Sequence, residues 1–312
     1  MRPTDPLPRI DICVCTYRRP HLLETLRSLQ KLRLPADAEV AILVVDNDRD
    51  PNAKDMVLEC ARSCHLKLRY VHCPEGNISI ARNGGLDNST ARYLAFVDDD
   101  EVVTPGWISE LLRKIKATGA AAVLGPVTAL YSLDAPAWMQ CLSVHSTRPV
   151  WVNGVIRTGY TCNVLIDRHH PAVSARRFDP ALGQSGGEDT KFFSEVFAGG
   201  GQIVFAEGAL VHENVPPKRA SAGWLLRRRY RMGQTHGQLL GDRKSNIAKA
   251  VPVGLALAKI IYCAGAAVLG GFSQTRRYQA ILRAALHAGV VAGLIGQRTL
   301  RQYGTARLDR VN

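Results

Sequence analysis

The chain has 312 residues, 46% hydrophobic and 21% charged, enough for one large domain or two modest ones with a proper core. That excludes a disordered polymer and a disulfide-stapled miniature. The formal charge is +13, from 40 Lys and Arg against 27 Asp and Glu, and the excess is local. Residues 1–212 carry 23 basic and 24 acidic side chains and residues 213–312 carry 17 and 3, so a neutral body precedes a basic region able to meet phosphate on lipid, nucleotide or nucleic acid.

From Ile10 to Cys15 the sequence IDICVC is β-rich, and after the turn-like CTYRRP the helical spacing of Leu22, Leu23, Leu26 and Leu29 predicts a helix. Val40–Val45 is an apolar strand ending in Asp46-Asn47-Asp48, and Pro51 opens a helix to about Cys64. Leu66–His72 reads as a strand, Ile78–Asn88 as a helix, and Tyr93–Val97 as a strand ending in Asp98-Asp99-Asp100-Glu101. Apolar strands alternating with helices predict an α/β fold with a parallel sheet covered on both faces, whose ligands gather at the carboxyl ends of the strands.

Pro105 to about Thr118 is helical, Val123–Val127 a short strand and 128–160 a long irregular stretch with Trp138 and Trp151. A strand over Cys162–Ile166, a Gly-rich loop at 183–187, a helix over Glu188–Ala198 and a strand over Ile203–Ala206 leading to His212 complete the body near residue 215. A basic helix (Trp224–Leu240) and two apolar stretches (Ala250–Phe272 and Ala280–Ile295) follow. The expected division is therefore 1–215 and 216–312. Met1–Pro8 is polar and Pro-rich, unlike a secretory leader, so a cytoplasmic body is expected. The eight cysteines lack both a secreted framework's spacing and the second pair of a zinc site, so reduced thiols are expected.

Adjacent carboxylates at Asp98–Asp100 repel unless a cation neutralises them, and hard oxygen donors suit Mg²⁺ or Mn²⁺. An isolated acidic run is more often a solvated turn; its place at a strand's carboxyl end favours a site. Glu188-Asp189 follows two glycines at a helix start, where carboxylates serve equally as first-turn residues or as a general base on a hydroxyl. His212 is open between a structural residue and a metal ligand. In RASAGWLLRRRYRMGQTHG, Arg227 and Arg231 share a helical face able to bind diphosphate, while most of its arginines are expected to be solvated or lipid-facing.

CTYRRP, VVDNDRD, GNISIARNGGLDNSTARYLAFVDDDE, SGGEDTKFF and the later His212, in that order over residues 9–241, resemble an inverting family 2 glycosyltransferase. NISIARN, AAVLGPV, RTGYTCN, GGEDT and RMGQTHG resemble more closely the β-1,4-glucosyltransferases of succinoglycan-type exopolysaccharide assembly. The resemblance implies an A-type, Rossmann-like mixed sheet with a C-terminal helical extension. It implies a UDP-sugar donor, UDP-glucose by the closer likeness, with Thr16, Tyr17 and Arg18 lining the nucleotide, Asp46 accepting from uracil and Arg82 near the diphosphate. Of the Asp-x-Asp motif, Asp98 would approach the ribose, Asp99 is the variable middle position, and Asp100 and His212 would bind the Mg²⁺ or Mn²⁺. Asp189 would be the catalytic base and Glu188 would place hydroxyls. The Gln-x-x-Arg-Trp motif of processive synthases is absent, which points to addition of a single sugar.

Ala250–Phe272 is long enough to span a bilayer, but Lys259 falls near its middle. A pair of helices lying in the cytoplasmic leaflet is the preferred reading, ahead of packing on the body and of a true span. It suits the family's usual acceptor, a sugar chain on a polyprenyl diphosphate. A nucleotidyltransferase would use similar carboxylates but release pyrophosphate. Nucleic-acid binding ranks low because the basic residues share their region with apolar runs, and a membrane adaptor gives no reason for carboxylates at successive strand ends.

Overall fold

The computed structural model describes residues 6–18, 20–241, 245–270 and 272–297. Arg19 of the CTYRRP turn, Gly271 of the first apolar stretch and residues 298–312 of the basic region lie outside them.

Three βα units open the chain: β1 (Arg9–Thr16) with α1 (Leu22–Leu29), β2 (Glu39–Asp46) with α2 (Lys54–Ser63), and β3 (Lys67–His72) with α3 (Ile78–Asn88). There follow β4 (Tyr93–Asp98), β5 (Glu101–Val103), α4 (Trp107–Thr118), β6 (Ala122–Leu124), β7 (Val127–Leu130) and α5 (Ala137–Leu142). The hairpin β8 (Trp151–Val152) and β9 (Val155–Ile156) precedes β10 (Asn163–Asp167), α6 (Pro171–Ser174), α7 (Glu188–Ala198), β11 (Ile203–Phe205) and β12 (Val211–Asn214). Three helices end the described chain: α8 (Ala222–Gly241), α9 (Asn246–Leu269) and α10 (Gln274–Leu294).

Seven strands form one sheet in the order β11-β6-β10-β4-β1-β2-β3, and β5-β12-β7 form a smaller one. Alternation along each buried strand splits the core into two layers. Ile10, Ile12, Val14, Ile42 and Val44 face Leu22, Leu26, Trp107 and Leu111 of α1 and α4. Cys13, Leu43, Val45, Leu94 and Phe96 face Leu86, Phe192 and Phe193 of α3 and α7. The helix expected over Ile78–Asn88 is found over those residues, because the Asn77 side chain accepts from the Ser79 and Ile80 amides and fixes its start.

The sheet is mixed, as the resemblance implies, where strand–helix alternation alone predicts a parallel one: β10 runs antiparallel to both β4 and β6. One expectation is corrected. The strand expected over Val123–Val127 is two, β6 in the large sheet and β7 in the small one. The chain breaks at Gly125-Pro126, where proline has no N–H for a ladder, and Asn163 Nδ2 donates to the Pro126 and Ala209 carbonyls across the gap.

The C-terminal helices join the body through a second, smaller core of Trp138, Met139, Val144, Leu225 and Leu282. There the Trp138 and Tyr278 rings stack 4.0 Å apart. α8 and α10 meet backbone to backbone: a Cβ on Gly233 would overlap the Leu286 carbonyl, and one on Gly289 the Tyr230 carbonyl. α9 differs, for Ile247–Leu269 has a mean hydropathy of 1.8 but only 11% of its apolar window is buried. By length and composition it is the one helix among the described residues able to cross a membrane.

Candidate active site

The carboxyl ends of β1, β2 and β4 lie side by side, because Thr16 pairs with Asp46 and Cys15 with Asp98. After β1, Arg18 is left-handed (φ 53°), a conformation uncommon for a non-glycine residue. It turns the guanidinium over the Tyr17 ring at 5.3 Å, and Nε donates to both oxygens of Asp48, at 2.9 and 3.0 Å. Burial works against the Asp48 charge, yet donors from Asn52, Arg18 and the Arg49 amide hold its carboxyl below the ordinary range. Asp46 is buried and shapes this loop: Oδ1 accepts from the Asp48 amide (3.1 Å), Oδ2 from the Ala53 amide (3.1 Å) and the Tyr70 hydroxyl (2.8 Å).

The acidic turn after β4 is not uniform. Asp99 is buried and accepts from the Thr16 hydroxyl at 2.7 Å and the Tyr17 amide at 3.4 Å, tying the first motif to the second. Glu101, grouped with the run in sequence, is the first residue of β5, and its Oε2 accepts from the Asp98 amide at 2.9 Å. Burial first, then Asp98 and Glu213, push the Glu101 carboxyl well above its ordinary range. β12 brings His212 opposite Val102 and Glu213 opposite Glu101, so the smaller sheet carries the histidine to the acidic turn. Burial, then Asp100, push Glu213 up to about 7.

The third component is the start of α7. Gly186 and Gly187 take positive φ (81° and 96°), and a Cβ on Gly187 would overlap Thr235 of α8, so both backbone and packing require glycine there. Glu188 is buried, and Asp189 is half-buried with its own turn's Thr190 amide donating to Oδ1 at 2.6 Å. Arg82 reaches up from α3 to pair with Glu188 and lies 3.9 Å from Asp98. Burial disfavours its charge, but Glu188, Asp98 and Asp189 together hold the guanidinium above its ordinary range. Burial raises Glu188 in turn, and its Oε2 is a buried oxygen without a partner.

α8 closes the site from above. Arg231 Nη1 donates to the Ser185 carbonyl at 2.8 Å, and Arg219, in the turn before α8, reaches Glu213 and Asp100. These two arginines thus face the protein. Glu213 and Asp48 are what sequence reasoning missed, and Arg219 was read only as part of the basic segment. One signal was present: Pro216-Pro217 ends β12 and turns the following residues back over the strand.

The residues expected to bind a metal, Asp100 and His212, carry oxygen and nitrogen donors. His212 Nδ1 is a buried nitrogen without a partner, and Asp100 directly precedes Glu101, which pairs with Glu213 next to His212. Imidazole nitrogen and carboxylate oxygen suit Mn²⁺ or Mg²⁺. Among the described residues no three or more His, Cys, Asp or Glu side chains form a ready-made metal cluster.

Carboxylates thus gather at the strand ends of an α/β sheet, and Arg82 links them to a glycine-flanked acidic helix start. The model of glycosyl transferase family 2 matches residues 11–172, and the chain belongs to that family. It is 52% identical over 295 residues, 95% of this chain and 96% of the other, to succinoglycan biosynthesis protein ExoM of Rhizobium meliloti strain 1021. It is 27% identical over 124 residues, 38% of each chain, to the GalNAc(5)-diNAcBac-PP-undecaprenol beta-1,3-glucosyltransferase of Campylobacter jejuni. Among solved structures, the mannosyltransferase PcManGT of Pyrobaculum calidifontis, in complex with GDP-Man and Mn²⁺, superposes with a TM-score of 0.64 at 18% identity, covering 93% of this chain and 88% of that one. TarS of S. aureus in complex with UDP gives 0.53 at 16% identity, covering 93% and 92%. These two likenesses support the A-type fold.

Proposed function

We propose that the chain transfers glucose from UDP-glucose, with inversion, onto an oligosaccharide linked to a polyprenyl diphosphate, at the cytoplasmic membrane surface and in assembly of a succinoglycan-type exopolysaccharide. The identity to ExoM, a succinoglycan biosynthesis protein, along nearly the whole chain supports the pathway. One observation carries the chemistry: buried Arg82 ties the Asp98–Asp100 turn to the Glu188–Asp189 helix start, so donor and base elements meet at one sheet edge.

On this reading Thr16, Tyr17 and Arg18 line the nucleotide, and Asp46 Oδ1, which carries one donor, retains a lone pair for the uracil. Asp98 approaches the ribose, while Asp99 holds Thr16 and Tyr17 in place. Asp100 and His212 hold Mg²⁺ or Mn²⁺, which supplies positive charge against the departing diphosphate. Asp189 removes the proton from an acceptor hydroxyl, whose oxygen attacks the anomeric carbon on the face opposite UDP. Glu188, fixed by Arg82, presents its second oxygen to sugar hydroxyls. Residues 1–215 form the catalytic body and residues 216–312 the membrane-facing region, peripheral on the leaflet. In this reading no nucleic acid is a partner.

The test is UDP release from a panel of UDP-sugars with Mn²⁺ or Mg²⁺ and a membrane lipid extract. Metal-dependent release from UDP-glucose, lost in Asp100→Ala, is expected. Pyrophosphate release from a nucleoside triphosphate in its place would sink the reading.

A further inference from the structure

Two guanidinium groups reach the acidic turn, and they are held differently. Arg82 comes from α3, its side chain 9% exposed and fixed to Glu188. Arg219 comes from the turn between β12 and α8 and is 26% exposed. Its Nη1 donates to Glu213 at 2.6 Å and its Nη2 to Asp100 at 3.5 Å.

The surroundings of Arg219 are built to keep it there. Its carbonyl accepts from His145 Nε2 at 3.1 Å, and its amide donates to the Pro216 carbonyl at 2.8 Å. Its guanidinium lies 5.8 Å from the Trp224 ring, and that ring stacks on His145 at 5.4 Å. The backbone is thus anchored on a buried histidine, and the guanidinium lies beside a tryptophan while its fork reaches the carboxylates. A nucleoside diphosphate arriving at this turn brings negative charge towards Asp98, Asp100 and Glu213, which repel it. A fork in this position can exchange a monodentate contact with Asp100 for a bidentate one with phosphate oxygens.

Resting on the glycosyltransferase reading above, we propose that Arg219 is a diphosphate ligand of this site: it neutralises Asp100 and Glu213 in the free protein and turns its fork to the nucleotide's diphosphate when the donor binds. Its carbonyl anchor on His145 is unaffected by that turn, so α8 need not move.

The experiment titrates UDP and uridine into the full chain at saturating Mn²⁺, by calorimetry and ligand-observed NMR, for the wild type, Arg219→Met and Arg219→Lys. UDP affinity should fall at least about tenfold in Arg219→Met and less in Arg219→Lys, with uridine affinity unchanged in both. Methionine keeps an unbranched apolar stem without the charge, and a thermal unfolding curve matching the wild type shows that the fold is retained. UDP affinity within twofold of the wild type overturns the proposal. So does a parallel fall in UDP and uridine affinity, which would reveal a purely structural role. Failure of wild-type protein to bind UDP would overturn the proposed UDP-sugar donor instead, so the two failures are distinct.

Discussion

Asp189 stands in the first turn of α7, where its carboxylate also accepts from the Thr190 amide at 2.6 Å. That contact orients the base without neutralising it, and an amide in its place keeps shape but cannot take a proton. Asp189→Asn should therefore lower transfer by about 10²–10⁴-fold while UDP affinity stays within a small factor. Measured by single-turnover transfer and UDP titration, an unimpaired rate would remove Asp189 from the chemistry. A second residue-scale prediction concerns His145, whose Nδ1 faces the Tyr131 hydroxyl at 3.0 Å while Nε2 meets the Arg219 carbonyl at 3.1 Å. Tyr131 accepts from the His145 amide, so its hydroxyl donates to Nδ1 and the ring is neutral. Burial pulls His145 down to about 4. The unfolded chain takes up this proton near 6.5, so between about pH 6.5 and 4 it binds more protons than the folded one, and stability falls with pH by up to about 1.4 kcal/mol per unit. His145→Gln should remove that slope in denaturant melts across this window; an unchanged slope would show that other groups carry it.

At the scale of elements, the glycines of the terminal helices divide into two sets. Gly233 and Gly289 lie where α8 and α10 touch backbone to backbone, whereas Gly254 and Gly265 of α9 have open space where a Cβ would go. Gly289→Ala should then cost about 1–3 kcal/mol through overpacking, and Gly265→Ala should be neutral or gain about 0.5–1 kcal/mol from helix propensity. Because α8 also carries Arg231 on the Ser185 carbonyl and Thr235 on Gly187, the Gly289 variant should lose transfer as well as thermal stability. Equal effects at both positions would argue against a tight seam. The same elements show what was legible in sequence. α3 and α7 matched their expected bounds because an Asn cap and a Gly-Gly turn write their starts locally. β10's direction and the break at Gly125-Pro126 were not legible, since they depend on strands paired far apart in the chain. The site divided in the same way. Carboxylates following a strand or opening a helix could be found locally, but the Arg82–Glu188 pair spans 106 positions and the Arg219–Asp100 contact 119.

At the scale of the whole molecule, apolar surface and positive charge share one end. Ile247, Val251, Leu255, Ile261 and Leu269 of α9 are all exposed, far more contiguous apolar surface than a soluble helix normally leaves to water. Lys249 and Lys259 share that helix, while Arg276, Arg277 and Arg283 lie on α10. Anionic headgroups attract such residues by about 1 kcal/mol each, an attraction screened beyond ~10 Å at 0.1 M salt. The protein should therefore sediment with anionic vesicles at low salt, less so as salt rises, and remain partly bound through α9 where charge alone would release it. Val251→Glu with Ile261→Glu places charge on two already exposed positions, so the fold should survive while the salt-resistant fraction disappears. Wild-type protein that stays in the supernatant at low salt would remove the membrane from the reading. Complete release by salt would leave an electrostatic contact and no buried helix. A salt-resistant fraction lost in the double variant would put α9 in the leaflet, and through the α8–α10 seam it would bring the Glu188–Asp189 site to the surface where the proposed lipid-linked acceptor would reside.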